Sequence, residues 1–472
     1  MLLCLGLQWG ASMAVAKSSE LACVDRLEGE IAAIQNRYTL SGRERWGILA
    51  TTLNPPQILY RQNDRQYFIP ASNSKLLTTA AALHRLGGEF RIRTSVYQTT
   101  DGLRVVGRGD PSIGRTQLDR LAQQIAATGI RQIDRLIAED AYFQGSFYNP
   151  HWQWEDVQSG YGTPVNSLIF DLNSIPFTLF PQGVGQPLRW EWDDPKQAQI
   201  WRVENQTVTV AEGEPEFIEV GRDFTQPVLY LRGQLIAGSP SEPTAVAVTE
   251  PGKNFVEQFQ QALEAAGIGV GEIEVTTTPG SVTGEEIANI ESSPLSELVM
   301  EINQNSNNLY AEVILRSLGV IQDPTNPDSA ATGIAAIQKS LSELGVDPGS
   351  YILDDGSGLS RLNAISPEAL VQTLQAMSRS PFAELYRDSL PLAGETGTLR
   401  DRFLESPFRG KIRAKTGTLA GVSALSGYID PGGENSIAFS LIVDEIDRSA
   451  KEQRQAIDEI VGAIGNAQSC LN

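Results

Sequence analysis

Residues 70–88 have the sequence PASNSKLLTTAAALHRLGG, which begins with a proline and ends with two glycines. Leucine and alanine dominate its centre and Gly87-Gly88 would stop a helix, so the stretch predicts a buried helix that starts near Ser72. Lys75 follows Ser72 by three positions. Residues i and i+3 of a helix share one face with Cβ atoms about 5–6 Å apart, so the lysine ammonium can reach the serine hydroxyl.

A serine hydroxyl needs a neighbouring base before it becomes a good nucleophile. The chain has two histidines, and His84 lies about three turns beyond Ser72 on the same predicted helix, roughly 18 Å away at 1.5 Å per residue. A Ser72–His84 pair is therefore excluded, and Lys75 becomes the leading candidate base. The helix N-terminus would also face a negative charge that develops at Ser72. Taken alone, the same residues fit a serine helix cap followed by an exposed lysine.

A second candidate element is Lys415-Thr416-Gly417-Thr418, which lies in an alternating, strand-like segment. Glycine on an edge strand lets a peptide backbone approach closely, and lysine and threonine side chains can bind a terminal carboxylate. Ordinary hairpin chemistry is the alternative interpretation. Residues 395–398 (ETGT) imitate this element without its lysine, and a carboxylate there would repel the carboxylate of a substrate, so we assign the role to Lys415.

A third element, Ser306-Asn307-Asn308, lies in the polar break NQNSNN between two helical segments. A serine and an asparagine so close on a short loop can present a hydroxyl and an amide to one cavity. By itself this pattern predicts only a loop.

Together, S-x-x-K, S-x-N and K-T-G in this chain order are the signature of penicillin-binding proteins and serine β-lactamases. Beyond the motifs, the chain resembles the class C low-molecular-mass penicillin-binding proteins, the D-alanyl-D-alanine carboxypeptidase/endopeptidases, over nearly its whole length. The gap between Ser72 and Ser306 is far longer than a β-lactamase would place there. The supporting phrases are PASNSKL, GRGDPSI, YGTPVNSLIFDLN, NSNNLYAE, DDGSGLSRLNAISP, GTLRDRF and RAKTGTLAGVSALSGY.

The resemblance implies catalytic roles for three residues. Ser72 would be the acylated nucleophile, Lys75 its base, and Ser306 the relay of a proton to the leaving group. The backbone N–H groups of Ser72 and Thr418 would form the oxyanion hole.

The resemblance also implies a set of substrate-binding residues. Asn308 would hold the substrate amide and Lys415 would attract the substrate carboxylate, with Thr416 and Thr418 as hydroxyl donors and Gly417 between them. The Gly-rich segment DDGSG, residues 354–358, would lie near the cleft, where a purely structural use is the alternative.

The predicted fold class is α/β (α+β), a penicillin-binding/β-lactamase-like sandwich of helices on an antiparallel sheet with two inserted, largely β-containing domains. The segments GKIRAKTGT, VSALSGYID and SIAFSLIVDE predict three successive strands before a final helix. Residues 160–285 contain short alternating runs rich in Pro, Gly, Thr and Val, which predict β-rich modules. The resemblance implies a catalytic domain at 24–99 and 292–472, an inserted domain II at 100–120 and 188–291, and an inserted domain III at 121–187.

Residues 1–16, MLLCLGLQWGASMAVA, are apolar and end in an A-x-A pattern, which predicts a cleaved signal peptide and a periplasmic or otherwise extracytoplasmic protein. The rest of the sequence contains no run of about 20 apolar residues, so we expect no transmembrane anchor in the mature chain. Cleavage would leave Cys23 and Cys470, which are either bridged or unpaired. Two cysteines without C-x-x-C spacing disfavour redox and zinc chemistry.

The net charge of the chain limits the classes of molecule that it can bind. The 472 residues carry a formal net charge of -20, which would repel the phosphates of nucleic acid. The expected partners are peptidoglycan peptides and β-lactams, and the predicted chemistry requires no metal and no organic cofactor. A β-lactamase or esterase on the same core and a non-catalytic peptidoglycan-binding protein are the alternatives. The sequence does not predict the oligomeric state.

Overall fold

A computed structural model describes residues 26–39, 42–100, 102–280, 284–430, 436–444 and 449–467. Its α-helices are α1 (residues 26–38), α2 (Ser74–Leu86), α3 (Arg115–Ala127), α4 (Pro251–Ala265), α5 (Leu295–Gln304), α6 (Asn308–Gln322), α7 (Ser329–Glu343), α8 (Pro367–Ser378), α9 (Ala383–Asp388) and α10 (Ala450–Ala467).

The strands carry the labels β1 to β18 in chain order. They are β1 (Arg45–Thr52), β2 (Ile58–Gln62), β3 (Arg93–Thr99), β4 (Gly102–Val106), β5 (Gln132–Glu139), β6 (Ser174–Phe180), β7 (Arg189–Trp192), β8 (Arg202–Val210), β9 (Phe217–Arg222), β10 (Val228–Ile236), β11 (Glu242–Ala247), β12 (Gly269–Thr276), β13 (Glu285–Glu291), β14 (Tyr351–Ile352), β15 (Ala364–Ile365), β16 (Ile412–Leu419), β17 (Val422–Ile429) and β18 (Ile437–Asp444).

The chain divides into two compact units, described separately below. Of the described residues, those within 26–88, 295–307 and 334–467 belong to the first unit, and those within 89–294 and 308–333 belong to the second. The finer division of the insertion into domains II and III stays a prediction.

A five-stranded antiparallel sheet in the order β16-β17-β18-β1-β2 organises the first unit. Every residue of β17 and β18 is buried, because helices cover both faces of the sheet. Successive strand residues point to opposite faces, and Ile437, Phe439, Leu441 and Val443 pack in one hydrophobic cluster with side chains of α1 and α10. On the other side α8 contacts β18, β17 and β1. The predicted sandwich of helices on an antiparallel sheet is confirmed.

Helix α2 lies in the first unit and is buried from Ser74 through Leu83. It ends as the sequence predicted, since Gly87 adopts a positive φ of 76° and its N–H donates to Leu83 O at 3.0 Å. Its beginning lies close to the predicted position near Ser72. Residues Ala71–Asn73 form a 3-10 turn and the α-helix starts at Ser74.

The second unit contains a mixed five-stranded sheet in the order β12-β5-β4-β3-β13 and two three-stranded sheets, β8-β10-β9 and β11-β6-β7. Helices α3 and α4 pack on the five-stranded sheet in one hydrophobic cluster. The sequence-based interpretation of residues 160–285 as β-rich modules did not identify α4. That helix has Pro251 in its first turn, and Phe255, Phe259 and Leu263 recur every four residues on its buried face.

Within the described ranges no helix combines the length and apolar character needed to cross a membrane. Residues 1–25 and 468–472, which hold the predicted signal peptide and all three cysteines, lie outside the described residues.

Candidate active site

The turn that carries Ser72 has a strained backbone. Ala71 has a positive φ of 47°, a conformation that costs a non-glycine residue of order 1–3 kcal/mol and is found most often at functional sites. The half-exposed Ser72 follows it directly. A Cβ on Gly358 would come within 1.9 Å of Ala71 O, and a Cβ on Gly417 within 2.8 Å of Pro70 O. Two glycines therefore allow two other backbone segments to lie against this turn.

Lys75 is fully buried one helical turn after the serine. Its Nζ lies 2.9 Å from Ser72 Oγ and donates to Ser357 O at 2.6 Å. The i, i+3 spacing quoted from the sequence thus brings the amine to the hydroxyl, and the alternative of an exposed lysine does not apply to Lys75.

Ser357 belongs to the DDGSG segment, for which the sequence suggested no catalytic contact. The loop is organised by the buried carboxylate of Asp355, which accepts hydrogen bonds from Gly358 N at 2.7 Å, Ser360 N at 2.6 Å and Asn363 Nδ2 at 2.8 Å. Because this carboxylate fixes the loop, the carbonyl of Ser357 is held where it meets Lys75.

Lys415 is the second fully buried lysine of the first unit and lies on the edge strand β16. Its Nζ donates to Ser306 Oγ at 2.8 Å and to Thr416 O at 3.0 Å. Ser306 has a positive φ of 58°, so this residue of the S-x-N motif is also held in a strained conformation. Burial, and secondly the charge of Lys75, lower the pKa of Lys415 well below its usual range.

The other residues of the K-T-G element differ in exposure. Thr416 is buried, and its Oγ1 donates to Thr398 Oγ1 at 2.8 Å, whereas Thr418 is exposed. Gly417 packs against the Ser72 turn, and a side chain at this position would collide with that turn. Glycine is therefore needed here for a contact within the protein. Sequence reasoning missed Thr398. Its signal was the T-G-T at residues 396–398 within ETGT, which was set aside because it lacks a lysine.

Asn308 is the first residue of α6 and belongs to the second unit. Its Nδ2 donates to Tyr161 O at 2.9 Å. The role of Asn308 toward a substrate therefore stays a prediction, while the geometry joins Ser72 to Lys75 and Ser306 to Lys415 within the first unit.

His84 lies on α2 and its Nε2 is 3.0 Å from Glu343 Oε2. This contact is in keeping with the exclusion of His84 as the base for Ser72. Within the described ranges, no cluster of three or more His, Cys, Asp or Glu side chains is arranged to hold a metal ion.

The sequence of the chain matches one known family. The model of the D-Ala-D-Ala carboxypeptidase 3 (S13) family matches residues 27–464. This chain belongs to the S13 family. The family and the class of enzyme predicted from the sequence, a serine-type D-Ala-D-Ala carboxypeptidase, are confirmed.

Individual S13 relatives align with this chain over most of their own length. A D-alanyl-D-alanine carboxypeptidase of Actinomadura sp. (strain R39) is 32% identical over 455 residues, which cover 92% of this chain and 83% of the relative. The D-alanyl-D-alanine carboxypeptidase DacB of Haemophilus influenzae is 25% identical over 407 residues, 83% of this chain and 84% of the relative.

A solved structure shares the fold. The crystal structure of penicillin binding protein 4 (dacB) from Haemophilus influenzae superposes with a TM-score of 0.78 at 23% identity, covering 92% of this chain and 98% of that chain. At this identity the likeness shows the fold alone.

Proposed function

We propose that this S13 protein is a serine D-Ala-D-Ala carboxypeptidase/endopeptidase that cleaves peptidoglycan stem or cross-bridge peptides through an acyl-enzyme on Ser72. The observation that carries the proposal is the contact of the buried Lys75 amine with Ser72 Oγ, 2.9 Å long. That distance lies within the reach required of a nucleophile and its general base.

The first step is acylation. Lys75, when neutral, accepts the Ser72 Oγ proton through its nitrogen lone pair, and one of its two N–H bonds can still donate to Ser357 O. Ser72 Oγ forms a bond to the carbonyl carbon of the penultimate D-Ala, and the backbone N–H groups of Ser72 and Thr418 stabilise the oxyanion. When the oxyanion collapses, the C–N bond breaks and Ser306 relays to the departing amine the proton that Lys75 took from Ser72, so Lys75 is neutral again.

The second step is hydrolysis of the acyl-enzyme. Water attacks the ester carbonyl, its proton passes to Lys75, and the ester bond to Ser72 Oγ breaks as the serine regains a proton. The shortened peptide leaves with a new carboxylate, so all atoms of the water are accounted for. Lys75 acts first as base and then as acid, as microscopic reversibility requires.

Lys415 and its neighbours would hold the substrate before the chemistry. Protonated Lys415 attracts the terminal carboxylate of D-Ala, and the exposed Thr418 hydroxyl donates to that carboxylate. Thr416 would turn its single hydroxyl proton from Thr398 Oγ1 to the same carboxylate. Asn308 would bind the substrate amide. The same groups would receive a β-lactam, whose carboxylate and strained amide correspond to those of the D-Ala-D-Ala end.

Intact-mass measurement with benzylpenicillin tests the proposal. We expect the wild-type protein to gain the mass of one penicillin molecule and to keep it for longer than the time of mixing. An adduct that forms and disappears quickly would favour the β-lactamase or esterase alternative, and no adduct would favour a non-catalytic binding protein. Turnover of a D-Ala-D-Ala pentapeptide compared with a cross-linked peptide dimer then separates carboxypeptidase from endopeptidase action.

Replacing Thr398 by valine should weaken substrate binding. In the proposed complex Thr416 donates its only hydroxyl proton to the substrate carboxylate, and the Thr398 hydroxyl, 2.8 Å from Thr416 Oγ1 in the free protein, can then donate to Thr416 Oγ1. Loss of such a bond costs about 0.5–1.5 kcal/mol, or roughly threefold to tenfold. We expect this loss in kcat/KM to arise mainly from a higher KM, because Thr416 contacts the substrate carboxylate in the proposed complex.

Thr398→Ser is the matched control, since it keeps the hydroxyl and should restore most of the activity. Equal KM values for wild type and Thr398→Val would contradict this role of Thr398.

We also propose that the protein acts outside the cytoplasm, after removal of the signal peptide predicted at residues 1–16. The proposal is supported by the A-x-A pattern and by the extracytoplasmic position of the proposed substrate. Amino-terminal sequencing of the protein secreted by its own host would test it, with Lys17 expected as the first residue.

A further inference from the structure

Two aromatic side chains of the second unit are in contact with each other at the protein surface. Trp154 is 62% exposed and Phe224 is 36% exposed. Their ring centroids are 4.8 Å apart and their planes are inclined by 36°. Single exposed apolar residues need no explanation, but adjoining exposed rings indicate a contact surface.

Buried polar groups hold this aromatic pair in place. The side chain of Gln158 donates to Trp154 O at 2.8 Å and accepts from Arg222 N at 2.9 Å, so one buried amide ties the two chain segments together. The Arg222 guanidinium lies 5.5 Å from the centroid of the Phe224 ring and 5.0 Å from that of Trp201. The rings are therefore positioned before any ligand arrives, which lowers the entropy lost on binding.

The segment that carries Trp154 also reaches the S-x-N motif. Seven residues after Trp154, Tyr161 accepts a hydrogen bond from Asn308 Nδ2 at its carbonyl, 2.9 Å away, and its hydroxyl donates to Asp156 Oδ1 at 3.0 Å. All of these residues belong to the second unit. One continuous segment thus connects the aromatic pair with the residue proposed to bind the substrate amide.

The size of the aromatic pair favours a small ligand. An aromatic side chain offers about 150–250 Å² of surface, so the exposed parts of these two amount to roughly 200 Å². A stable protein partner needs about 800 Å² on each side. Exposed polar residues adjoin the rings along the chain on both segments, namely Gln153, Glu155, Thr225 and Gln226.

We propose that Trp154 and Phe224 form a platform for the sugar rings of a peptidoglycan glycan strand. The C–H face of an N-acetylhexosamine packs on an aromatic ring, while its hydroxyl and acetamido groups hydrogen-bond to neighbouring polar side chains. This inference rests on the proposed function, because a stem peptide held at Asn308 is attached to such a strand. The platform would make the protein prefer peptides that still carry their sugars.

Binding of peptide-free glycan tests the inference directly. The probes are the tetramer of N-acetylglucosamine, measured by tryptophan fluorescence and calorimetry, and glycan strands stripped of peptides by an amidase, measured by co-sedimentation. We expect Trp154→Ala and Phe224→Ala each to weaken binding about tenfold, equivalent to about 1.4 kcal/mol. Trp154→Phe, which keeps an aromatic face, should retain most of the affinity.

Phe217→Ala is the matched control, since Phe217 is a 47% exposed aromatic residue of the same unit that is not part of the pair. It should bind glycan like the wild type, and thermal unfolding should show that all variants are folded. Wild-type protein that does not bind either probe, or Trp154→Ala and Phe224→Ala proteins that bind as well as wild type, would overturn the inference. The benzylpenicillin adduct of the wild type tests the proposed function independently of glycan binding. Failure of the proposed function would appear as a missing adduct, and failure of this inference as missing or unchanged glycan binding.

Discussion

Replacing Ser72 by alanine is expected to abolish the benzylpenicillin adduct and to lower the rate of peptide cleavage by at least about 10⁴-fold. The reason is chemical, because no acyl-enzyme can form without the hydroxyl that Lys75 contacts at 2.9 Å. Intact-mass spectrometry measures the adduct, and release of D-Ala from a pentapeptide measures the cleavage.

Ser342→Ala is a suitable control for Ser72→Ala, because Ser342 is an exposed serine of α7. It should form the adduct and cleave the peptide as the wild type does. A Ser72→Ala protein that still gains one penicillin would mean that another residue is acylated. Peptide mapping of the adduct would identify that residue, with Ser306 as the first to examine.

Replacing Lys415 by methionine is expected to reduce kcat/KM for a D-Ala-D-Ala peptide by about 10²–10³-fold. Removing one partner of a buried, hydrogen-bonded charge pair typically costs 2–5 kcal/mol, and Lys415 is the cation proposed to face the substrate carboxylate. It also donates to Ser306 Oγ, so proton relay to the leaving group should suffer as well. Steady-state kinetics with carboxylate and carboxamide forms of the peptide separate the lost ion pair from the impaired proton relay. Only the carboxylate peptide loses an ion pair, whereas both peptides depend on the relay.

The same substitution should change how stability depends on pH. Burial and the nearby Lys75 charge hold the pKa of Lys415 well below its ordinary value of 10.5. Below the folded-state pKa, the lysine is charged in both states and the burial penalty opposes folding in full. Between the folded-state pKa and 10.5, the unfolded chain binds more protons than the folded protein, so the stability of the wild type rises with pH.

We therefore expect the difference in free energy of unfolding, wild type minus Lys415→Met, to rise with pH by up to about 1.4 kcal/mol per pH unit in that window. Urea unfolding from neutral pH to pH 10 measures it. Lys411→Met removes an exposed lysine just before the same strand and should give no such slope. A pH-independent difference for Lys415→Met would contradict the lowered pKa of Lys415.

The sequence predicted those parts of the site that depend on local geometry. The i, i+3 spacing of Ser72 and Lys75 and the stop at Gly87 follow from helix geometry and from the backbone freedom of glycine, so both could be predicted without coordinates. Ser357 could not, because it contacts Lys75 through its backbone carbonyl, a group that every residue possesses. Nothing in the side chain at that position signals the contact.

Other features were missed because a more obvious pattern stood beside them. Thr398 lies in an incomplete copy of K-T-G, and its value comes from a tertiary contact with Thr416 that spacing along the chain does not indicate. Helix α4 was hidden by the alternating runs around it, although Phe255, Phe259 and Leu263 carry the helical period.

The contacts of Gly358 and Gly417 with the Ser72 turn are made to main-chain oxygens, at distances that leave no space for a methyl group. The backbone of the Ser72 turn is thus held in place by the backbones at Gly358 and Gly417 and not by neighbouring side chains. Substitutions elsewhere around the cleft can accordingly alter which peptides are accepted without displacing the attacking oxygen.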